Sequence, residues 1–166
     1  MTRMAYEPNG HPASRPPWLS SAQQRAWRAF MDGHLRLMVE LNRQLQDDSD
    51  MSLPEYRILV MLSESPGGSL RMSDLADGVL SSRSRLTHQI RRMEEQGMVR
   101  RTSCEEDGRG VRAHLTEEGT RRLRAAAPGH VAAVRRTFID LLSPDELTAV
   151  GDAFERVDTE NDPRRT

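Results

Sequence analysis

The stretch Ser82-Arg-Ser-Arg-Leu-Thr-His-Gln-Ile-Arg-Arg-Met-Glu-Glu-Gln-Gly-Met-Val-Arg-Arg101 decides the fold. At about 100° per residue, Leu86, Ile90 and Met93 fall on one face of a helix, and Ser84, His88, Arg91, Arg92 and Glu95 fall on the other. One stripe therefore belongs in a core and the rest meets solvent or a partner. Ser82 is placed to cap the start. Gly97 is a natural left-handed stop, with Met98 behind it to supply the apolar contact of a Schellman motif. The first turn, Ser82, Arg83, Ser84 and Arg85, holds no acid. Arginine near the positive end of a helix dipole costs about 0.3–1 kcal/mol. A phosphate or a base edge at that end would offset the cost, because backbone N–H groups and guanidinium forks converge on an anion and Arg reaches guanine O6 and N7 together. Taken alone, the two arginines also fit a merely solvated helix end.

Working outward settles the context. Upstream, Met72 to Gly78 forms a second short helix, separated by the tight break Val79-Leu80-Ser81, which gives a helix-turn-helix outline. Downstream, Met98 to Thr102 and Val111 to Leu115 alternate as two short strands around the polar hairpin Ser103-Cys-Glu-Glu-Asp-Gly-Arg-Gly110, the shape of a wing. Ser52 with Glu55 forms a capping box, with Pro54 in the first turn, and opens a buried helix that Ser65-Pro-Gly-Gly closes. A long helix from Ser20 to about Gln46, with Trp27, Phe30, Met31, Leu35, Met38, Leu41 and Leu45 at helical spacing, is longer than one small domain needs and suits packing on a partner chain. Thr116 caps a helix that runs to about Ala127, kinks at Pro128 and continues towards Leu142. A last helix opens at Ser143-Pro-Asp-Glu and carries Leu147, Val150, Phe154 and Val157 on its apolar face. The fold class that follows is mainly α with a small β wing: a winged helix-turn-helix with N- and C-terminal dimerisation helices. Residues 1–17, rich in Pro, read as a flexible arm, 18–158 as the domain with its DNA-binding lobe at about 52–116, and 159–166 as a disordered tail.

Composition bounds the function. The chain has 166 residues, 36% of them hydrophobic and only 4% aromatic, which suits a solvated helical protein. All 24 basic residues are Arg, a bias that a GC-rich genome explains as readily as guanidinium chemistry. The net charge of −1 hides an asymmetry: six Arg against two Glu over residues 82–101, and three Arg against eight acids from Thr137 onward. A basic segment and an acidic end suggest one side facing DNA and one turned away. No apolar run approaches the ~18 residues of a membrane span and no hydrophobic leader is visible, so a cytoplasmic protein without a membrane partner is expected. No phosphate-binding Gly-rich loop, nucleophile elbow, His-Glu-x-x-His or paired Cys occurs, and the five His are dispersed. Neither an enzyme nor a metal or cofactor is expected.

Three lines of sequence, taken in order, carry a family resemblance. They are Ser52-Leu-Pro-Glu-Tyr-Arg-Ile-Leu-Val-Met-Leu62 with Met72-Ser-Asp-Leu-Ala76, then the Ser82 to Arg101 stretch, then Asp107-Gly-Arg-Gly-Val-Arg-Ala-His-Leu-Thr-Glu-Glu-Gly119. From about Trp18 to Val157 the chain resembles the MarR (multiple antibiotic resistance regulator) family. The resemblance implies a homodimer joined by its first and last helices, bound to double-stranded DNA with the recognition helix in the major groove and a wing arginine in the minor groove. It also implies a repressor, or occasionally an activator, released by a small molecule or an oxidant. Arg109 matches the minor-groove arginine and Asp107 the acid that orients it. The DNA-binding set is then Ser82, Arg83, Ser84, Arg85, Thr87, His88, Arg91, Arg92, Asp107, Arg109 and Arg112. His88 and Gln89 depart from the Arg and aliphatic residue of many members, which points to a different operator. The reactive cysteine that the peroxide-sensing branch carries early in helix 1 is missing.

Two other readings stay open. A winged helix can serve as a protein-binding scaffold, although that use does not require basic residues on both the recognition helix and the wing. Cys104 follows Arg100 and Arg101, whose charge would favour a thiolate and an oxidisable switch; a tolerated cysteine in an exposed hairpin is the plainer reading. An effector crevice between the dimerisation helices and the DNA-binding lobe would involve Trp27, Phe30, His34 and Tyr56, residues whose spacing equally fits ordinary core.

Overall fold

The computed structural model describes residues 18–103 and 110–162, so the N-terminal arm and most of the wing hairpin, including Cys104, Asp107 and Arg109, lie outside the described residues. The chain divides into two compact units, Met1–Leu35 and Arg36–Thr166. Helix α1 (Ser21–Ser49) begins in the first and ends in the second.

In the first unit, Ser20 and Gln23 form the expected reciprocal cap: Gln23 N–H donates to Ser20 Oγ at 3.3 Å and Ser20 N–H to Gln23 Oε1 at 2.8 Å. Above it Trp27, Phe30 and His34 stack as a ladder, each successive pair of rings 5.8 Å apart, as helical i, i+3 and i+4 spacing dictates.

The second unit holds the rest of α1, then α2 (Leu53–Glu64), a 3-10 turn (Pro66–Gly68), β1 (Ser69–Arg71), α3 (Met72–Gly78), α4 (Arg83–Glu95), β2 (Val99–Ser103), β3 (Val111–Leu115), α5 (Glu117–Thr137), a 3-10 turn (Ile139–Leu141) and α6 (Pro144–Asn161). The strands form one antiparallel sheet in the order β1-β3-β2, with Val99 opposite Leu115, Ser103 opposite Val111, and Leu70 opposite Ala113. The sequence shows only β2 and β3. Strand β1 is three residues long, too short for alternation to register, and the pair Gly67 and Gly68 at φ 65° and 64° turns the chain into it.

The core gathers Ile58, Leu59 and Leu62 of α2, Leu75 and Ala76 of α3, Leu86, Ile90 and Met93 of α4, and Met98, Val99 and Ala113 of the sheet, together with Met51. The stripe expected on the Ser82 helix is the buried stripe. At its end Gly97 takes φ 74°, Met98 N–H donates to Met93 O and Gly97 N–H to Glu94 O, both at 2.9 Å, the paired bonds of a Schellman motif. The Leu115-Thr-Glu-Glu-Gly119 segment locks α5 onto this corner. Thr116 Oγ1 caps α5 by accepting from Gly119 N–H at 3.0 Å, and it also lies within hydrogen-bonding distance of the Gly97 and Met98 carbonyls, at 2.6 and 2.9 Å. A Cβ at Gly119 would collide with the Met98 carbonyl oxygen.

Three expected boundaries need correction. Helix α1 continues to Ser49 rather than stopping near Gln46. Helix α5 passes through Pro128 without a break and ends at Thr137, where Phe138 leaves helical geometry (φ −142°, ψ −61°), instead of continuing towards Leu142. Helix α6 extends to Asn161, so the expected tail from residue 159 is helical for three residues. No helix among the described residues is long and apolar enough to cross a membrane, and no group of three or more His, Cys, Asp or Glu side chains there could hold a metal ion.

Candidate nucleic-acid interface

Helix α4 is fastened along its length and leaves its first turn bare. Ser82 Oγ accepts from Arg85 N–H at 3.3 Å, so the cap forms as expected. The C-terminal half is tied down by ion pairs. Arg91 Nε meets Glu95 at 3.0 Å. Arg92 reaches the nearly buried Glu55 of α2 at 3.7 Å and donates to Gln89 Oε1 at 3.2 Å. Glu94 binds Arg101 of β2 at 2.7 Å and also accepts from the Arg101 backbone N–H at 2.8 Å, contacts that hold its carboxyl below the usual range.

Among the described residues, Arg83, Ser84, Arg85 and His88 make no side-chain hydrogen bond or ion pair, and all four are exposed. Helices α2, α5 and α6 carry acids in their first turn, whereas α4 carries none. The bare end of α4 is thus the one place on the helix where cationic charge is left unneutralised. Thr87 Oγ1 donates to the Arg83 carbonyl at 2.8 Å, leaving its lone pairs available.

The wing strands add charge of the same sign. His114 lies opposite Ser69 on β1 and Arg100 on β2, and its Nε2 is 2.8 Å from Thr102 Oγ1. Partial burial, then the charges of Arg100 and Arg112, push its pKa down. Arg112, expected at the DNA, has a different employment: its Nη2 donates to the Ser69 carbonyl and Oγ at 3.2 and 3.1 Å, clamping β1 onto β3. Asp107 and Arg109 fall outside the described residues.

Of the residues expected at an effector crevice, Trp27, Phe30 and His34 form the α1 ladder of the first unit. In the second unit Tyr56 packs on His130 of α5, ring centroids 4.4 Å apart, and His130 Nδ1 lies 3.2 Å from Gln44 Oε1. Burial raises the Tyr56 pKa and lowers that of His130. A cavity of about 660 Å3 lies elsewhere in that unit, lined by Met38, Asn42, Leu53, Leu80, Arg85 and Gln89 among others and by none of those four. The Gln89 amide nitrogen is buried and has no acceptor among the described residues.

Two helices joined by a tight turn, a recognition helix with a bare cationic start, and a three-stranded sheet ending in a hairpin define a winged helix-turn-helix protein. The comparisons agree. Residues 49–110 match the MarR family model. AbsC, a MarR family transcriptional regulator from Streptomyces coelicolor, is 46% identical over 87% of this chain and 97% of its own, with a TM-score of 0.82. Sco3205, a MarR family regulator from the same organism solved in complex with DNA, is 40% identical over 92% and 96%, with a TM-score of 0.88. YfiV, an HTH-type transcriptional regulator of Bacillus subtilis, is 34% identical over 80% of each chain. The chain belongs to the MarR family, and is a sequence-specific DNA-binding transcriptional regulator.

Proposed function

We propose that the protein is a homodimeric repressor of a palindromic operator, reading bases with the exposed start of α4. The observation that carries the reading is the division of α4: Arg91 and Arg92 are engaged within the protein, while Arg83, Arg85 and His88 are exposed and without partners among the described residues. Arg85 and His88 are assigned to base edges in the major groove. Arg109 is assigned to the minor groove, with Asp107 orienting it, on the family resemblance. Arg112 is assigned to the sheet rather than to DNA, since its guanidinium clamps β1.

Dimerisation follows from apolar side chains that stay exposed in one chain. Helix α6 buries none of its residues, and Phe154, Val157 and Leu141 remain 44%, 55% and 71% exposed. Together with helix 1, these apolar positions supply the twofold interface. A twofold dimer bound along one face of a duplex sets its half-sites about 10 base pairs apart.

Release by a small molecule is part of the reading, and the observation favouring it is the cavity of about 660 Å3 that reaches Arg85 and His88 of α4.

The test is selection of bound sequences from random double-stranded DNA, followed by footprinting and mass determination of the complex. Two protomers on an imperfect palindrome support the proposal. A monomer on a single asymmetric half-site, or salt-insensitive binding without sequence preference, would refute it.

A further inference from the structure

We propose that Glu94 is the positioning residue that aims the wing: it fixes the direction of β2 relative to the recognition helix, so that α4 and Arg109 meet their two grooves together. The inference rests on the reading of the protein as a duplex binder with Arg109 in the minor groove. The carboxylate of Glu94, in the last turn of α4, takes three donors from one residue of β2. Its Oε1 accepts from the Arg101 backbone N–H at 2.8 Å, while its Oε2 accepts from Arg101 Nε at 2.9 Å and lies 2.7 Å from Nη2. One oxygen therefore holds the strand and the other holds its side chain. Among the described residues this is the one side-chain hydrogen-bonded link between α4 and the sheet. Each side chain is 34% exposed, so the charge-assisted bonds are sheltered on most sides from competing water.

Two anchors fix a direction where one leaves a pivot. The first is the start of β2, where Met98 N–H donates to Met93 O at 2.9 Å and Val99 is buried. The second is Glu94, which grips the strand further along, at Arg101. Arg101 pairs with Ala113 of β3, and Ala113 pairs in turn with Leu70 of β1, so the grip on β2 is passed across the whole sheet. Ser103 and Val111, the last pair of the β2–β3 register, are the points from which the segment bearing Arg109 departs. A duplex holds neighbouring major and minor grooves in a fixed relation, so a protein that reads both gains from having its two contacts set before it binds. Glu94 touches no base or phosphate in this account. It acts through Arg101 and the strand.

The experiment is a double-mutant cycle on DNA affinity, using the full chain and a duplex recovered by selection from random DNA. Glu94→Ala, Arg109→Ala and the double variant are compared with wild type at one salt concentration, well below the melting temperature of each. Glu94→Met, which keeps an unbranched stem and accepts no strong hydrogen bond, replaces Glu94→Ala if thermal unfolding shows that the alanine variant does not fold. Losing a hydrogen bond to a charged group weakens binding roughly tenfold or more, and Arg109→Ala is expected to cost wild type about that factor. In the Glu94 variant the same substitution costs less by more than about twofold, because the arginine no longer meets its groove while α4 is seated. A pair that merely stabilised the fold would leave the factor for Arg109→Ala unchanged, since independent sites multiply to within about twofold. Factors that agree to that extent in the two backgrounds overturn the proposal. An Arg109→Ala variant that binds as tightly as wild type would instead remove the minor-groove reading itself, and the two failures are thus distinct.

Discussion

Gly119→Ala tests whether the corner joining α4, β2 and α5 is as tightly built as it looks. The new Cβ would collide with the Met98 carbonyl oxygen and lie 2.8 Å from Leu115 Cδ1. The carbonyl has little freedom to retreat, because it accepts from Thr116 N–H at 3.2 Å and lies 2.9 Å from Thr116 Oγ1. Overpacking of this kind costs about 1–3 kcal/mol. Weakening two hydrogen bonds adds about 0.5–1.5 kcal/mol each. Higher helix propensity of Ala returns up to about 1 kcal/mol. The net loss is about 1–5 kcal/mol, a fall in melting temperature of roughly 2–20 °C for a chain of this size. The assay is thermal unfolding followed by far-ultraviolet circular dichroism at fixed protein concentration, since a dimer's melting point depends on concentration. A melting temperature within about 2 °C of wild type would show that the approach of α5 to Met98 is not a constraint.

The remaining expectations concern DNA reading, assembly and pH. Arg85→Ala and His88→Ala should each remove about 1–3 kcal/mol of discrimination at one base position, measured on single-base variants of a selected operator; preferences left intact in both would remove these residues from base readout. Phe154→Asp combined with Val157→Asp should convert the dimer to monomer in sedimentation equilibrium, because both side chains are exposed in one chain and would be covered in two; a dimer of undiminished affinity would place the interface elsewhere. Folding stability should be constant above pH 6.5 and decline as the pH falls below it, because burial lowers the pKa of His130 from that value, so the unfolded chain binds its proton first. His114, lowered by burial and by Arg100 and Arg112, acts in the same direction. Denaturant unfolding of wild type and His130→Gln at several pH values checks this, and identical pH profiles would exclude His130 as a source.

Those parts of the fold whose physics is local were legible in the sequence. Ser52 with Glu55 and Ser143 with Glu146 form their capping boxes, and Gly97 its left-handed stop, because each needs only neighbouring residues in the right order. Leu80 shows the converse. It takes φ 51°, and with Leu80 N–H to Asp77 O and Ser81 N–H to Ala76 O it repeats the bonding found at Gly97. A leucine in the left-handed region gives no turn signal and costs of order 1 kcal/mol or more, so this helix stop was read only as a break. At the interface, the exposed face of α4 was readable from its period. The engagement of Arg92 with Glu55 and of Arg112 with Ser69 was not, because each partner lies more than 35 positions away and no spacing rule connects them.

The distribution of these contacts explains how a small protein can leave cations at the wrong end of a helix dipole. Arg83 and Arg85 cost about 0.3–1 kcal/mol each in that position. Against this, α4 buries Leu86, Ile90 and Met93 completely, and a buried aliphatic side chain contributes about 1.5–3 kcal/mol. The rear of the helix is then fixed at three further points: Arg92 to α2, Glu94 to β2, and the Met98 turn to α5. None of these contacts uses the first turn. The residues that would make α4 more stable by neutralising its start are acids, and acids there would repel the phosphates the helix must approach. The bare first turn is therefore a local cost that the packed stripe outweighs and that, on the proposed function, binding to DNA removes.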